Sequence, residues 1–232
     1  MKEELLQAVD DGRELEAELE AFVVDEPAKA DGTWTAKDHL AHVTWWRMRT
    51  IQTLDAVRTG GELPPAVPDD DGVQNAIIYG EVKDRPAVDV KAEAVHSWTA
   101  LRSAIEASSE DDLAKQHPRQ TESQVWEVVP GAVGHAATHV MSWYFDVGDK
   151  ERALEAAQRG SQLEGRFFTK PEQLAESRYN LACAYARFGQ VAEAVPLLQQ
   201  SFAVRPDLVA WARKDRDLDS IRQDPRVMAL LT

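Results

Sequence analysis

The chain has 232 residues, 44% of them hydrophobic and 28% charged, a composition typical of folded globular proteins rather than disordered chains. Its 40 acidic side chains outnumber 26 basic ones, and the resulting formal net charge of −14 argues against nucleic-acid binding, because phosphate backbones are repelled. It has one cysteine, no apolar run of ~18 residues and no signal-like N-terminus, so we expect a cytoplasmic protein without a disulfide or a membrane partner.

Two amphipathic helices are predicted near the start of the chain. Apolar side chains recur at three- and four-residue steps over residues 3–23, which is typical of a helix. Thr35, with Asp38 three residues later, has the pattern of a capping box, so a second long helix should begin there. It should end near Arg58, before a pair of glycines. The proline- and acid-rich loop that follows, 62–72, is either a binding loop or a plain connector.

Further helical segments complete a predicted bundle. Residues 73–84 indicate a short helix, and 86–107 a long one that begins at a proline. Pro130 suits the first turn of another helix, which should extend to Val147. Four principal helices of this length favour an all-α four-helix bundle over residues 1–148.

Beyond residue 148 the predicted helices are shorter and richer in alanine. They cover 150–164, 172–188 and 191–204, with weaker ones after Pro206 and Pro225. The spacing resembles the tetratricopeptide (TPR) repeat, whose packing positions correspond here to Leu181, Ala182, Tyr185, Gly189, Ala194, Leu198 and Pro206. Ser201 stands where that family prefers alanine. We therefore predict TPR-like helices over 149–232, with a generic helical hairpin as the alternative.

A residue pattern that occurs twice in the chain favours a repeat. Three residues precede three of the TPR-type residues by 41 positions each: Tyr144, Gly148 and Ala153 precede Tyr185, Gly189 and Ala194. The helix that ends at Val147 would then belong to both parts of the chain. We expect this helix to pack on the bundle and also on helix 150–164.

Two histidines have the spacing of metal ligands. His135 and His139 are four residues apart on a predicted helix, so their side chains share one face and could reach one ion. The pair alone is a weak signal, because two histidines on a solvated face are common. Three others are interpreted as exposed or partly exposed residues: His39, His96 and His117. His39 could instead share a helix face with His42, three residues later.

A third candidate ligand, His42, lies in the segment WTAKDHLAHVTWW over residues 34–46. This segment resembles the W-[ST]-x-K-D-x-L-A-H-[LV]-T-x-W signature of the DinB-like superfamily, and is closest to its ClbS/DfsB branch. Segments 74–79, 84–86 and 97–98 are also similar to that branch. The resemblance covers roughly residues 1–148.

The resemblance implies a metal site. Many DinB-like proteins bind a divalent metal through one histidine on the second helix and an H-x-x-x-H pair on the fourth, positions that His42, His135 and His139 match. Three imidazoles without a fourth protein ligand leave positions open for water or substrate, as catalytic sites do, and suit Zn, Ni, Fe or Co. Further catalytic residues stay unknown.

The resemblance also implies an activity. Relatives in the superfamily include transferases that use low-molecular-weight thiols, thiol-dependent isomerases and detoxifying hydrolases. It therefore implies a metal-dependent transferase or hydrolase, with a small electrophilic or toxic molecule as substrate, a low-molecular-weight thiol as co-substrate and a role in stress or detoxification.

Two alternatives stay open at this point. TPR-like helices commonly line a groove for a protein or peptide partner, so the chain could be a binding module with a non-catalytic bundle. The C-terminal helices could instead widen the bundle or form a homodimer.

The sequence also predicts the roles of several other side chains. Asp38 either caps its helix, the favoured role, or orients His42. One of Trp45 and Trp46 should be more exposed than the other, because neighbours on a helix point about 100° apart. Cys183 is expected to be a buried packing residue rather than a nucleophile.

Overall fold

The computed structural model describes residues 1–29, 32–68, 70–120 and 122–232. Within these ranges the chain is built from α-helices and two short 3₁₀ helices, and no β-strand is present. No helix in these ranges is long and apolar enough to cross a membrane. The helices divide into two compact units, Met1–Val147 and Gly148–Thr232.

The first unit is a four-helix bundle with two added short helices. Its helices are α1 (Lys2–Glu20), α2 (Ala36–Thr59), α3 (Asp71–Val82), α4 (Ala87–Ala107), α5 (Glu110–Ala114) and α6 (Val128–Asp146). Helices α1 and α2 each pack against both α4 and α6. The interior between them is apolar and includes Leu19, Leu40, Val43, Leu101 and Val140. The predicted all-α bundle is confirmed.

Local sequence signals explain where the second helix begins and ends. Thr35 Oγ1 accepts a hydrogen bond from the backbone N–H of Asp38 at 3.2 Å, and Asp38 Oδ2 accepts one from the backbone N–H of Thr35 at 2.9 Å. This is the reciprocal capping box that the sequence predicts. Gly60 ends the helix with φ +70°, a backbone conformation that glycine adopts without strain.

Helix α1 ends three residues earlier than the periodicity predicts, at Glu20. The residues that follow Glu20 make contacts that a continued helix would not allow. Val23 is buried, and Asp25 Oδ1 accepts a hydrogen bond from the backbone N–H of Ala87 at 2.8 Å. Asp25 therefore satisfies one of the free N–H groups at the start of α4, which a continued α1 helix would leave without this partner.

Gly12 allows α1 to approach its neighbours closely. A β-carbon added there would lie 2.4 Å from Val133 Cγ1 and 2.8 Å from a Trp98 ring carbon. We expect Gly12→Ala to lower the free energy of unfolding by about 1–3 kcal/mol, although alanine favours a helix, because the packed neighbours must shift. Gly80→Ala in α3, which meets nothing within 4 Å, is the control and should be stabilising by ~0.5–1 kcal/mol. Urea unfolding followed by circular dichroism compares the two, and a stabilised Gly12→Ala contradicts the packing argument.

The second unit contains α7 (Lys150–Phe167), α8 (Pro171–Arg187), α9 (Val191–Val204), α10 (Leu208–Ala212) and α11 (Pro225–Leu230). Helix α8 packs against α7 and α9. The unit has its own apolar core, formed by residues that include Tyr179, Ala182, Cys183, Ala186, Ala194 and Leu198. Cys183 is buried there, as expected of a packing residue.

Two details of the second unit bear on its predicted TPR character. Gly189, with φ +71°, forms the turn between α8 and α9. Ser201, which replaces the preferred alanine, is fully buried, and its Oγ donates a hydrogen bond to the Ala175 carbonyl at 2.7 Å. The hydroxyl therefore has a partner, and the substitution is accommodated. The TPR assignment, and the packing of the last bundle helix on helix 150–164, stay predictions.

Candidate metal centre

Three histidines from two helices of the bundle come together. His42 lies on α2, and His135 and His139 lie one turn apart on α6. One ring nitrogen of each lies within 4.8 Å of one nitrogen of the other two. Two nitrogens that bind one ion at ~2.0–2.1 Å each lie at most ~4 Å apart, so a group within 4.8 Å is close to the spacing that a bound ion requires. His135 Nε2 and His139 Nε2 are already 3.0 Å apart, a separation that suits two ligands of one ion.

All three imidazoles are neutral at pH 7. Burial, together with the neighbouring histidines His135 and His39, lowers the pKa of His42 to about 3. Burial, with a smaller contribution from Arg47, lowers the pKa of His135 to about 4. Burial and the adjacent histidines hold the pKa of His139 well below its usual value. Neutral imidazole is the form that binds metal, so protons do not compete for these nitrogens near neutrality.

A fourth histidine, His39, belongs to the same group, and the interpretation of it as partly exposed is wrong. Only 5% of its surface is exposed, and its Nδ1 lies 2.8 Å from Nδ1 of His139. The prediction failed because the start of α2 is covered on more than one side, whereas a surface helix buries one face. Every residue from Ala36 to Thr44 is buried.

The other two histidines lie away from this group. His96 on α4 is exposed, as expected. His117 is buried, contrary to the prediction, because its Nδ1 accepts hydrogen bonds from the backbone N–H groups of Arg119 and Gln120 at 3.1 and 3.0 Å. His117 therefore shapes its own loop.

Aromatic rings surround the histidines. The Trp34 ring lies 4.9 Å from His42 and 5.6 Å from His139, nearly parallel to the latter. Trp46 Nε1 donates a hydrogen bond to His42 Nε2 at 3.1 Å. Trp45 and Trp46 are both half-buried, and the expectation that one is more exposed than the other stays a prediction. Trp45 has its own partner, Glu81 on α3, whose Oε2 accepts a hydrogen bond from Trp45 Nε1 at 2.8 Å.

Asp38 does not orient His42. Its Oδ2 is occupied by the Thr35 cap, and the Nδ1 atom of His42 has no hydrogen-bond partner among the described residues. The favoured role, capping, is therefore the observed one.

Below the histidines lies a buried ion pair that the sequence analysis missed. Arg47 and Glu16 have fully buried side chains and form two hydrogen bonds of 2.9 Å each. Arg47 also donates to Ser97 Oγ at 2.8 Å and lies 3.7 Å from the Trp98 ring centroid. The position of Arg47 in the sequence is a signal that could have revealed this ion pair. Arg47 lies four residues after Val43 and four before Ile51, so it is a charged residue on the apolar face of α2.

A cavity of about 250 Å³ is bordered by Trp34, whose ring contacts the histidines. Its lining includes Trp34, Tyr79, Asn75 and Lys29. Trp34 stacks on Tyr79 with ring centroids 6.3 Å apart and also contacts His39, His42 and His139. The same indole therefore lines the cavity and contacts the histidine group.

Comparison with known families shows to which family the chain belongs. The family model described as the DinB superfamily matches residues 3–142, more than half of the chain. The chain belongs to the DinB superfamily. Members of this superfamily are generally metal-binding, and the three-histidine group of this DinB domain has a geometry that could hold an ion. Neither the curated proteins nor the solved structures contain a match to the chain.

Proposed function

We propose that the chain is a metal-dependent DinB-like enzyme, of the thiol-dependent transferase or hydrolase type, that acts on a small electrophilic molecule. The observation that carries the proposal is the convergence of His42, His135 and His139 within 4.8 Å at one place in the bundle. Nitrogen ligands of this kind suit Zn, Ni or Fe.

The residues present fit such an ion. The three imidazoles are neutral, as ligands must be. Two of the nitrogens are already 3.0 Å apart, and the His42 nitrogen needs only a small shift to join them. A bound divalent ion supplies Lewis acidity, lowering the pKa of a coordinated water or thiol so that it can act as a nucleophile.

The chain's own residues would prepare the reaction. No Asp, Glu or Cys joins the three histidines in the group found among the described residues, which leaves room for water, thiol or substrate. The Trp34 ring packs on His42 and His139, with centroids 4.9 and 5.6 Å away, and in this position would limit the entry of water. The adjacent cavity offers aromatic faces at Trp34 and Tyr79, an amide at Asn75 and an ammonium at Lys29 for binding the substrate.

The test measures metal retention and rate together. The 232-residue chain without a histidine tag, loaded with Zn, Ni or Fe and then desalted, should retain about one equivalent of metal, as a single three-histidine site predicts. The loaded protein should accelerate attack on a model aryl halide when a low-molecular-weight thiol is present, or hydrolysis of a model ester without thiol. His135→Ala should lose both metal and rate, whereas the exposed-histidine control His96→Ala should keep them.

The same experiment separates the proposal from its rival. A chain that retains no metal, or one whose loaded form reacts no faster than its chelated form, is not this enzyme. The binding-module hypothesis would then be favoured, with the TPR-like helices α7 to α9 as the part that contacts a peptide.

A further inference from the structure

His39 is an unexpected member of the metal centre. It lies three residues before His42 on α2, and both rings contact His139 on α6. Its Nδ1 is 2.8 Å from His139 Nδ1, a hydrogen-bonding distance, and the two rings meet edge to face with centroids 5.1 Å apart. The family resemblance assigns it no role.

The proton positions follow from the neighbours of His139. A neutral imidazole carries one N–H and one lone pair. His139 Nε2 faces His135 Nε2 at 3.0 Å, so Nε2 is the nitrogen placed to bind an ion, and it then requires its lone pair. With an ion bound at Nε2, the His139 proton would therefore reside on Nδ1, and the atom in position to accept it is Nδ1 of His39.

We propose that His39 is a positioning residue of the metal centre: its Nδ1 accepts the Nδ1–H of His139 and selects the tautomer that frees His139 Nε2 for the ion. The relevance to catalysis rests on the proposed function. Metal-binding histidines usually donate their other N–H to a carboxylate, a carbonyl or water, which fixes the ring and raises its basicity. Here the acceptor of that N–H is a second histidine, His39.

A second observation indicates that His39 is more than a packing residue. When its Nδ1 accepts from His139, its own proton lies on Nε2, and this atom is buried with no hydrogen-bond partner among the described residues. Buried unpaired N–H groups are rare in proteins. An apolar side chain in the same space beneath Trp34 would leave no unpaired N–H. The presence of an imidazole is therefore best explained by the contact of its Nδ1 with His139.

The test uses two variants of the full chain. His39→Leu keeps an apolar side chain but removes the acceptor, whereas His39→Asn restores an acceptor oxygen near the position of Nδ1. Zn²⁺ affinity is measured by competition with a chromophoric chelator. We expect His39→Leu to weaken Zn²⁺ binding about 10–100-fold, His39→Asn to recover most of it, and the exposed control His96→Leu to match the wild type.

A second readout does not require metal. Long-range ¹H–¹⁵N NMR of the metal-free protein, with His139 assigned, reports which of its ring nitrogens carries the proton. We expect Nδ1–H in the wild type and in His39→Asn, and a shift toward Nε2–H in His39→Leu.

Each outcome decides one question. If the wild type binds Zn²⁺ and His39→Leu binds it equally tightly, the inference is overturned and the proposed function stands. If the wild type binds none of the Zn, Ni and Fe ions, the proposed function fails, and the His139 tautomer still decides the role of His39. Nε2–H in the wild-type metal-free protein overturns the inference, even where His39→Leu fails to fold.

Discussion

His139→Ala should abolish metal binding and lower the melting temperature only slightly. The side chain supplies a candidate ligand, but the bundle is held together by an apolar core that includes Leu19, Leu40 and Val140. An ion bound by three histidines at one place in a bundle of this size adds little to that core. We therefore expect metal content to fall to background while the loss in melting temperature stays below ~10 °C, at ~2–4 °C per kcal/mol for a chain of this length.

The controls separate a catalytic ion from a structural one. Wild-type protein treated with a chelator should melt within a few degrees of the loaded protein, and His96→Ala should keep both its metal and its melting temperature. A structural ion predicts the opposite, namely a large fall of similar size for the chelated wild type and for His139→Ala. Metal content by mass spectrometry and melting by circular dichroism give both values on the same samples.

Arg47→Met should cause the largest loss of stability among these substitutions. Its guanidinium and the Glu16 carboxylate are both fully buried, and they are each other's main partners. Without Arg47, the carboxylate stays buried with Trp98 Nε1 as its remaining donor among the described contacts, at 2.8 Å. Breaking one side of a buried ion pair typically costs 3–5 kcal/mol, so we expect a loss of roughly that size in the free energy of unfolding from urea titration.

Two further variants identify the cause of that loss. Arg102→Met removes an arginine from an exposed pair with Asp10 and should change stability by less than ~1 kcal/mol. The double variant Glu16→Leu, Arg47→Met removes both buried charges and should recover much of the loss, because no unpaired charge is left. If the double variant is as unstable as Arg47→Met alone, packing against Trp98, rather than charge, explains the effect.

The bundle and the three histidines were predictable because their signals are local. Apolar periodicity defines α1, α2, α4 and α6, and the Thr35–Asp38 capping box sets the start of α2. The spacing of His135 and His139 places both on one face of a helix, whatever surrounds it. The third candidate ligand, His42, came from the family signature rather than from spacing.

What the sequence analysis missed depends on contacts between distant segments. Glu16 and Arg47 are 31 residues apart, and each alone is an ordinary charged helix residue. His39 is buried because Trp34, from the preceding loop, and His139, 100 residues later, both contact it. Periodicity within one helix carries no information about such partners, so a polar residue on the apolar face of a predicted helix is the signal worth following.

The position of Trp34 would couple two binding events, that of an ion at the histidines and that of a ligand in the cavity. The same indole lines the cavity beside Tyr79 and stacks on His139 with ring centroids 5.6 Å apart. A cavity ligand that moved this ring would change the surroundings of the histidines, and so would change their affinity for an ion. By thermodynamic reciprocity, the ion then changes the affinity of that ligand by the same factor. Small molecules could therefore be screened by their effect on metal affinity alone, without knowledge of the reaction.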